Sequence, residues 1–267
     1  MKLYKRDYTK LTDEEDRVWQ LLLESEVIHK LGTTEIRKSK YREYPVAARH
    51  FMSLFPNNHL DIVDLQNEEE LTLLTQNFLE TINISNSTER TILNFINNNK
   101  AFFIIASLLK RYYSFGNHDA FVFPEFQIGN SFRVDYLIVG KNSGGYEFVF
   151  VELEHPYKNT VMADGTLGEA FRKGIKQIVE WQTWLEENFT SLTETFDKFK
   201  HPEKMLPREF MKWDSSRFHF AVIAGRRKDF NDKTYRLSRK SSENRINILH
   251  YDNLYDCANN IIGESTY

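Results

Sequence analysis

The spacing of apolar residues changes character at Phe121. Upstream of it the chain is helical in pattern; downstream it breaks into short runs of β-branched and aromatic residues. FVFPEFQI (121–128), FRVDYLIV (132–139) and YEFVFVELE (146–154) predict three strands. The loops between them, GNS and GKNSGG, are short enough for antiparallel hairpins. The third run is apolar on both faces, which predicts a central strand covered on each side. Leu167, Phe171, Ile175, Ile178, Trp181 and Leu185 then recur every three or four residues, one stripe on a helix from about residue 167 to 187. A charged, proline-punctuated stretch, 188–216, reads as an insertion. RFHFAVIAG (217–225) predicts another buried strand, INILHY (246–251) a short one, and 252–262 a closing helix.

Before Phe121, helices are predicted over 13–25 and 68–80, with a dense run of Lys, Arg and Tyr between them. The cap-rich NISNST introduces a helix carrying Ile92, Leu93 and Ile96, Asn97 to Asn99 interrupt it, and a second apolar helix follows over 101–113. Residues 1–85 thus form a mostly helical N-terminal region and 86–267 a second unit. A mixed central sheet flanked by helices, α/β or α+β, is the expected fold class.

Composition narrows the function. A chain of 267 residues can bury a sizeable core. Its 35 basic and 38 acidic residues leave a net charge of −3, so nucleic-acid binding would need a local basic groove. Cys257 is the only cysteine, which excludes an intrachain disulfide and any cysteine-cluster zinc site. MKLYKRDYTKLTDEEDR lacks an apolar signal core and no run approaches the length of a membrane span. A cytoplasmic protein with no membrane partner is expected, and the sequons at Asn83, Asn86 and Asn188 then carry no meaning. GNHD (116–119) imitates a metallophosphoesterase motif, but the partner motifs are missing, and it reads as a loop.

The chemistry concentrates in the strands. Residues two apart share a strand face, so Glu152 and Glu154 point the same way from an otherwise apolar run. Two buried carboxylates repel each other and are costly to desolvate unless a metal ion or basic partners relieve them. Asp135 lies in the middle of the preceding strand, across the hairpin. Together the three make a candidate oxygen-ligand site for Mg²⁺ or Mn²⁺. The alternative is solvated strand-end acids, or acids paired with Arg133. Arg133 and His155, beside them, are weak candidates for touching a DNA phosphate; His155 is otherwise an exposed strand-end residue. Arg226, Arg227 and Lys228, with Arg236, Arg239, Lys240 and Arg245 further on, are a basic concentration that either neutralises DNA phosphates or is a solvated loop.

Asp135 and Glu152-Leu153-Glu154 resemble the acid and the (D/E)-x-K of the PD-(D/E)XK nuclease superfamily, with Glu154 in place of the lysine. Gln177-Ile-Val-Glu-Trp181 resembles a Q-x-x-x-Y helix signature of its RecB-like branches. VELEHP (151–156), AVIAGRR (221–227) and INILHYDNL (246–254) are similar in order and kind to stretches of the Shedu antiphage defence family. The resemblance implies a PD-(D/E)XK core that cuts DNA. In it Asp135, Glu152 and the Leu153 carbonyl hold the metal, Glu154 orients water or binds a second ion, and Gln177 supports the site. Glu125 is a weaker candidate for an outer ligand, and Glu89 matches an acidic position before the strands. The resemblance also implies a homo-oligomer. The rival reading is a nuclease fold without catalysis that binds or senses nucleic acid.

Overall fold

The computed structural model describes residues 3–26 and 28–267; residues 1, 2 and 27 of the N-terminal region lie outside the described residues. The N-terminal part holds α1 (Asp13–Glu24), a hairpin of β1 (Ile28–Leu31) and β2 (Thr34–Arg37), α2 (Pro45–Met52) and α3 (Glu68–Asn83). Then come α4 (Glu89–Asn98), α5 (Phe102–Ala106) and a π-helical turn over Leu109–Tyr113. β3 (Asp119–Ile128), β4 (Phe132–Asn142), β5 (Gly145–Leu153), α6 (Glu169–Asp197), β6 (Phe218–Ile223), α7 (Asp232–Ser242), β7 (Ile246–Leu249) and α8 (Tyr251–Ile261) complete the chain.

The five strands β3 to β7 lie in sequence order in one open sheet. β3, β4 and β5 are joined antiparallel by hairpins, whereas β5, β6 and β7 are parallel. A parallel step needs a long crossover, and α6 and α7 supply the two. The result is a mixed α/β fold, as the sequence pattern predicts. β5 sits at the centre with Phe148, Val149, Phe150 and Val151 all fully buried. Each such side chain contributes roughly 1.5–3 kcal/mol of burial.

Two apolar layers cover the sheet. One face carries Val149, Val151 and Leu153 of β5 against α3, α4, α5 and α8. The other carries Phe148 and Phe150 against Phe171, Ile178, Trp181 and Leu185 of α6. Leu65, Leu71, Phe78 and Ile82 belong to the first layer, so α3 shares one core with the strands. Leu60 and Asn58 also bond β3 through Ala120 and Val122. The boundary drawn at residue 85 therefore runs through a continuous core.

Two expectations need correcting. The helix predicted to end near residue 187 continues to Asp197 past a non-helical Asn188, and Phe189, Leu192 and Phe196 bury its extension. The stretch read as an insertion is thus core at its start, and Phe210 further on is buried too. The basic segment after Asp229 is a helix, α7, opened by a capping box of Asn231 and Thr234. Among the described residues no single helix is long and apolar enough to cross a membrane. The bent pair of α4 and Phe102–Tyr113, which meet at 114°, owes its apolarity to the first core layer.

Candidate active site

The sheet opens at one end. The β4–β5 ladder runs from Asn142↔Gly145 to Tyr136↔Val151 and stops there. At the next position Asp135 enters the gap, its Oδ2 accepting the Leu153 N–H at 2.8 Å. On the other side of β4, Glu125 stands opposite Asp135 with φ 49°, between the regular pairs Pro124↔Tyr136 and Phe126↔Val134. A left-handed glutamate is uncommon. The inward alternation slips by one residue at this level in both strands. Phe121 and Phe123 give way to Phe126 and Ile128, and Leu137 and Val139 to Val134. Such slips re-aim side chains and recur beside functional sites.

β5 delivers the other two acids. Glu152 is 6% exposed and Glu154 2% exposed. α6 lies directly over them, and Gly174 lets it come close: a methyl there would meet Val222 Cγ1 at 2.6 Å and Glu154 Cγ at 3.4 Å. The Glu154 backbone is fixed from two sides, its N–H bonding Ile223 O at 2.8 Å and its carbonyl accepting the Tyr251 hydroxyl at 2.7 Å. Gln177 comes down from α6 toward the Glu152 carboxyl, and Trp181, one turn on, is buried under Phe150.

The partner of Glu154 is a lysine that sequence reading overlooked. Lys173 Nζ lies 3.0 Å from each Glu154 carboxylate oxygen and 3.9 Å from Glu89 Oε2. The (D/E)-x-K comparison left the site without an amine; α6 supplies one. Lys173, Gln177 and Trp181 are spaced by four and so share one helix face. That spacing was the available signal. Arg133 does not pair with the three acids but with Glu125, at 3.6 Å.

Burial raises the pKa of all three strand acids. Burial pushes Glu152 up to about 9, with the charges of Asp135 and Glu154 adding to it and Lys173 and Gln177 opposing. Burial also lifts Asp135 to about 6 against the Leu153 N–H bond, with Glu89 and Glu125 adding like charge. Glu154 is raised by burial as well, with Lys173 working against the rise. Burial disfavours the Lys173 ammonium, yet its bond to Glu154 and the surrounding acids hold its pKa above the usual value.

The donors suit a hard cation in kind. They are all oxygens, and the buried Glu152 Oε2 and Gln177 Oε1 have no hydrogen-bond partner. Among the described residues, however, no three acidic, histidine or cysteine side chains converge as a ready cage, and Lys173 is the cation that Glu154 faces.

The weaker candidates divide. His155 Nδ1 accepts the Tyr157 N–H at 3.0 Å, a turn contact. Arg227 pairs with Asp256, and Lys228 lies over the Tyr157 ring, 5.8 Å from its centroid. Arg226 is corrected outright, because it is buried and structural. Its Nε and Nη2 bind Asp252 at 3.1 and 2.8 Å, Nη2 also reaches Asn83 Oδ1 at 2.9 Å, and Nη1 donates to the Ile82 carbonyl. No free side of the guanidinium faces a phosphate. Arg226→Ala should destabilise the fold by about 3 kcal/mol, since it strands Asp252 and the end of α3. Urea denaturation measures this, and a loss below about 0.5 kcal/mol, the range of ordinary surface positions, would return Arg226 to the surface.

A search of curated proteins finds no match to the chain. The family model described as Shedu protein SduA, C-terminal, matches residues 86–255. That span holds Glu89, Glu125, Asp135, Glu152, Glu154, Lys173 and Gln177, so the opened sheet and its helix lie wholly inside it. The chain belongs to the Shedu family.

Proposed function

We propose that this protein is a divalent-metal-dependent deoxyribonuclease of the PD-(D/E)XK kind that acts in antiphage defence. Membership of the Shedu family points to defence. The observation that carries the nuclease reading is the gap in the sheet, where Asp135 replaces a ladder bond beside the buried, partly unpartnered Glu152.

Asp135, Glu152 and the Leu153 carbonyl would hold the ion, with Glu154 beside them. A divalent cation bound there neutralises charge on the phosphorus oxygens and acidifies water. The chain's own groups do the rest. Asp135 anchors the Leu153 N–H, which fixes the neighbouring carbonyl. Gln177 favours the ionised Glu152. The Tyr251 hydroxyl holds Glu154 in register. Lys173, its side chain 56% exposed, can turn its ammonium toward a phosphate oxygen or the attacking water while Glu154 steadies it.

Glu154 standing in the lysine position favours a second reading, a nuclease fold that binds nucleic acid without cutting it. The amine of Lys173 beside the acids weighs against that. Supercoiled plasmid and labelled linear duplex should be nicked or cut with Mg²⁺ or Mn²⁺ and left intact in EDTA. Binding without cleavage in either metal would select the second reading.

A further inference from the structure

Arg90 and Arg133 stand apart from the other arginines beside the acids. Both direct Nη1 at the same carboxylate oxygen, Glu125 Oε1, at 3.9 and 3.6 Å. Neither distance is a hydrogen bond. Their side chains are 63% and 53% exposed, so most of their ten N–H donors face solvent. Arg226 shows the opposite arrangement, every donor group spent inside the protein. Two positive charges share one carboxylate, which leaves an excess of one on the rim.

The rim borders the acids directly. Arg133 is two residues before Asp135 on β4, about 6.6 Å along the strand. Arg90 follows Glu89, whose Oε2 is 3.9 Å from Lys173 Nζ. Glu125, the residue both arginines share, is the left-handed residue opposite Asp135. The interior of the notch is acidic and repels a polyanion, so a strand entering it needs positive charge at the edge. Planar guanidiniums suit phosphate oxygens better than point charges do.

We propose that Arg90 and Arg133 form a clamp for a DNA backbone phosphate next to the scissile one, with Glu125 holding both arginines in place until DNA displaces it. This rests on the nuclease reading. The contact is to a phosphodiester, not to a base, so it positions the strand without reading its sequence.

Fluorescence anisotropy of a labelled duplex oligonucleotide, titrated with salt in EDTA and again in Ca²⁺, tests it. Arg90→Ala with Arg133→Ala should lower the slope of log affinity against log salt by about 1, because the two arginines neutralise one phosphate between them. At low salt it should weaken binding about a hundredfold, roughly tenfold per charged contact. Arg90→Lys with Arg133→Lys should restore most of the slope, which separates lost charge from lost fold. Glu125→Gln should tighten binding, because a competing carboxylate is gone. Arg236→Ala with Arg239→Ala on α7 should leave the slope as in the wild type. If the wild type neither binds nor cuts duplex DNA, the nuclease reading falls and the clamp with it. If the wild type binds and the arginine-to-alanine pair binds with the same slope, the clamp alone falls. Weaker binding in Glu125→Gln also overturns it.

Discussion

Glu152→Ala and Asp135→Asn should each stop DNA cleavage, lowering the rate by about 10³-fold or more, while both proteins stay folded. The size follows from losing a ligand of the cation that would neutralise charge on a phosphoryl transition state. The folding outcome follows from what each group does in the sheet. Glu152 is buried with one oxygen unpartnered, so its loss removes a cost from the apolar strand. Asp135 has a second duty, accepting the Leu153 N–H at the place where the ladder stops. Asparagine keeps an acceptor there and discards only the charge. Alanine would discard both, so Asp135→Asn is the cleaner variant. A plasmid cleavage time course with matched thermal melts reads the result. Wild-type rates in Asp135→Asn would mean that the carboxylate is only a strand-end fastener.

The metal-free protein should lose stability as pH rises from about 5 to 9. The folded pKa of Glu152 is raised from the ordinary carboxyl value of 4.5 to about 9 and that of Asp135 from 3.8 to about 6. A group raised in the fold stabilises it fully below its unfolded pKa, and that contribution is lost as pH climbs to the folded one. Both groups contribute to the loss below about pH 6, and Glu152 alone carries it on to about pH 9. The total is a few kcal/mol, a large share of an ordinary domain's stability. Glu152→Gln should remove the upper part of the slope and melt several degrees above the wild type at pH 8.5. Mn²⁺ should stabilise the wild type more than Glu152→Gln at that pH. Calorimetric melts at stepped pH test the set. A wild type that is more stable at pH 8.5 than at pH 5.5 in EDTA would contradict it.

The acids were legible because a charge inside an apolar strand stands out from its neighbours. Asp135, Glu152 and Glu154 were visible that way, and the structure brings them to one opening in the sheet. Gln177 and Trp181 were visible as a helical pair. Lys173 was not, because a lysine on an exposed helix face is ordinary until the strand beneath it is known. Glu125 was visible only as an outer candidate, because its left-handed backbone lies where β3 and β4 change their inward faces together, which a one-dimensional pattern does not record. Arg226 was misread because a basic run says nothing about which member turns inward. The extension of α6 was missed at Asn188, although Phe189, Leu192 and Phe196 continue the apolar stripe beyond it. α7 has Thr234 as its one buried residue, so it offers almost no apolar period to detect.

The shared core of α3 and the sheet bears on how this protein can be divided. The family match begins at residue 86, whereas the core that packs on the sheet extends back at least to Leu60. A fragment trimmed to the shared ancestry would bare the flank that Leu65, Leu71, Phe78 and Ile82 now cover, and Arg226 would lose its bonds to Ile82 and Asn83. In this molecule α3 is thus one wall of the sheet that the family match covers.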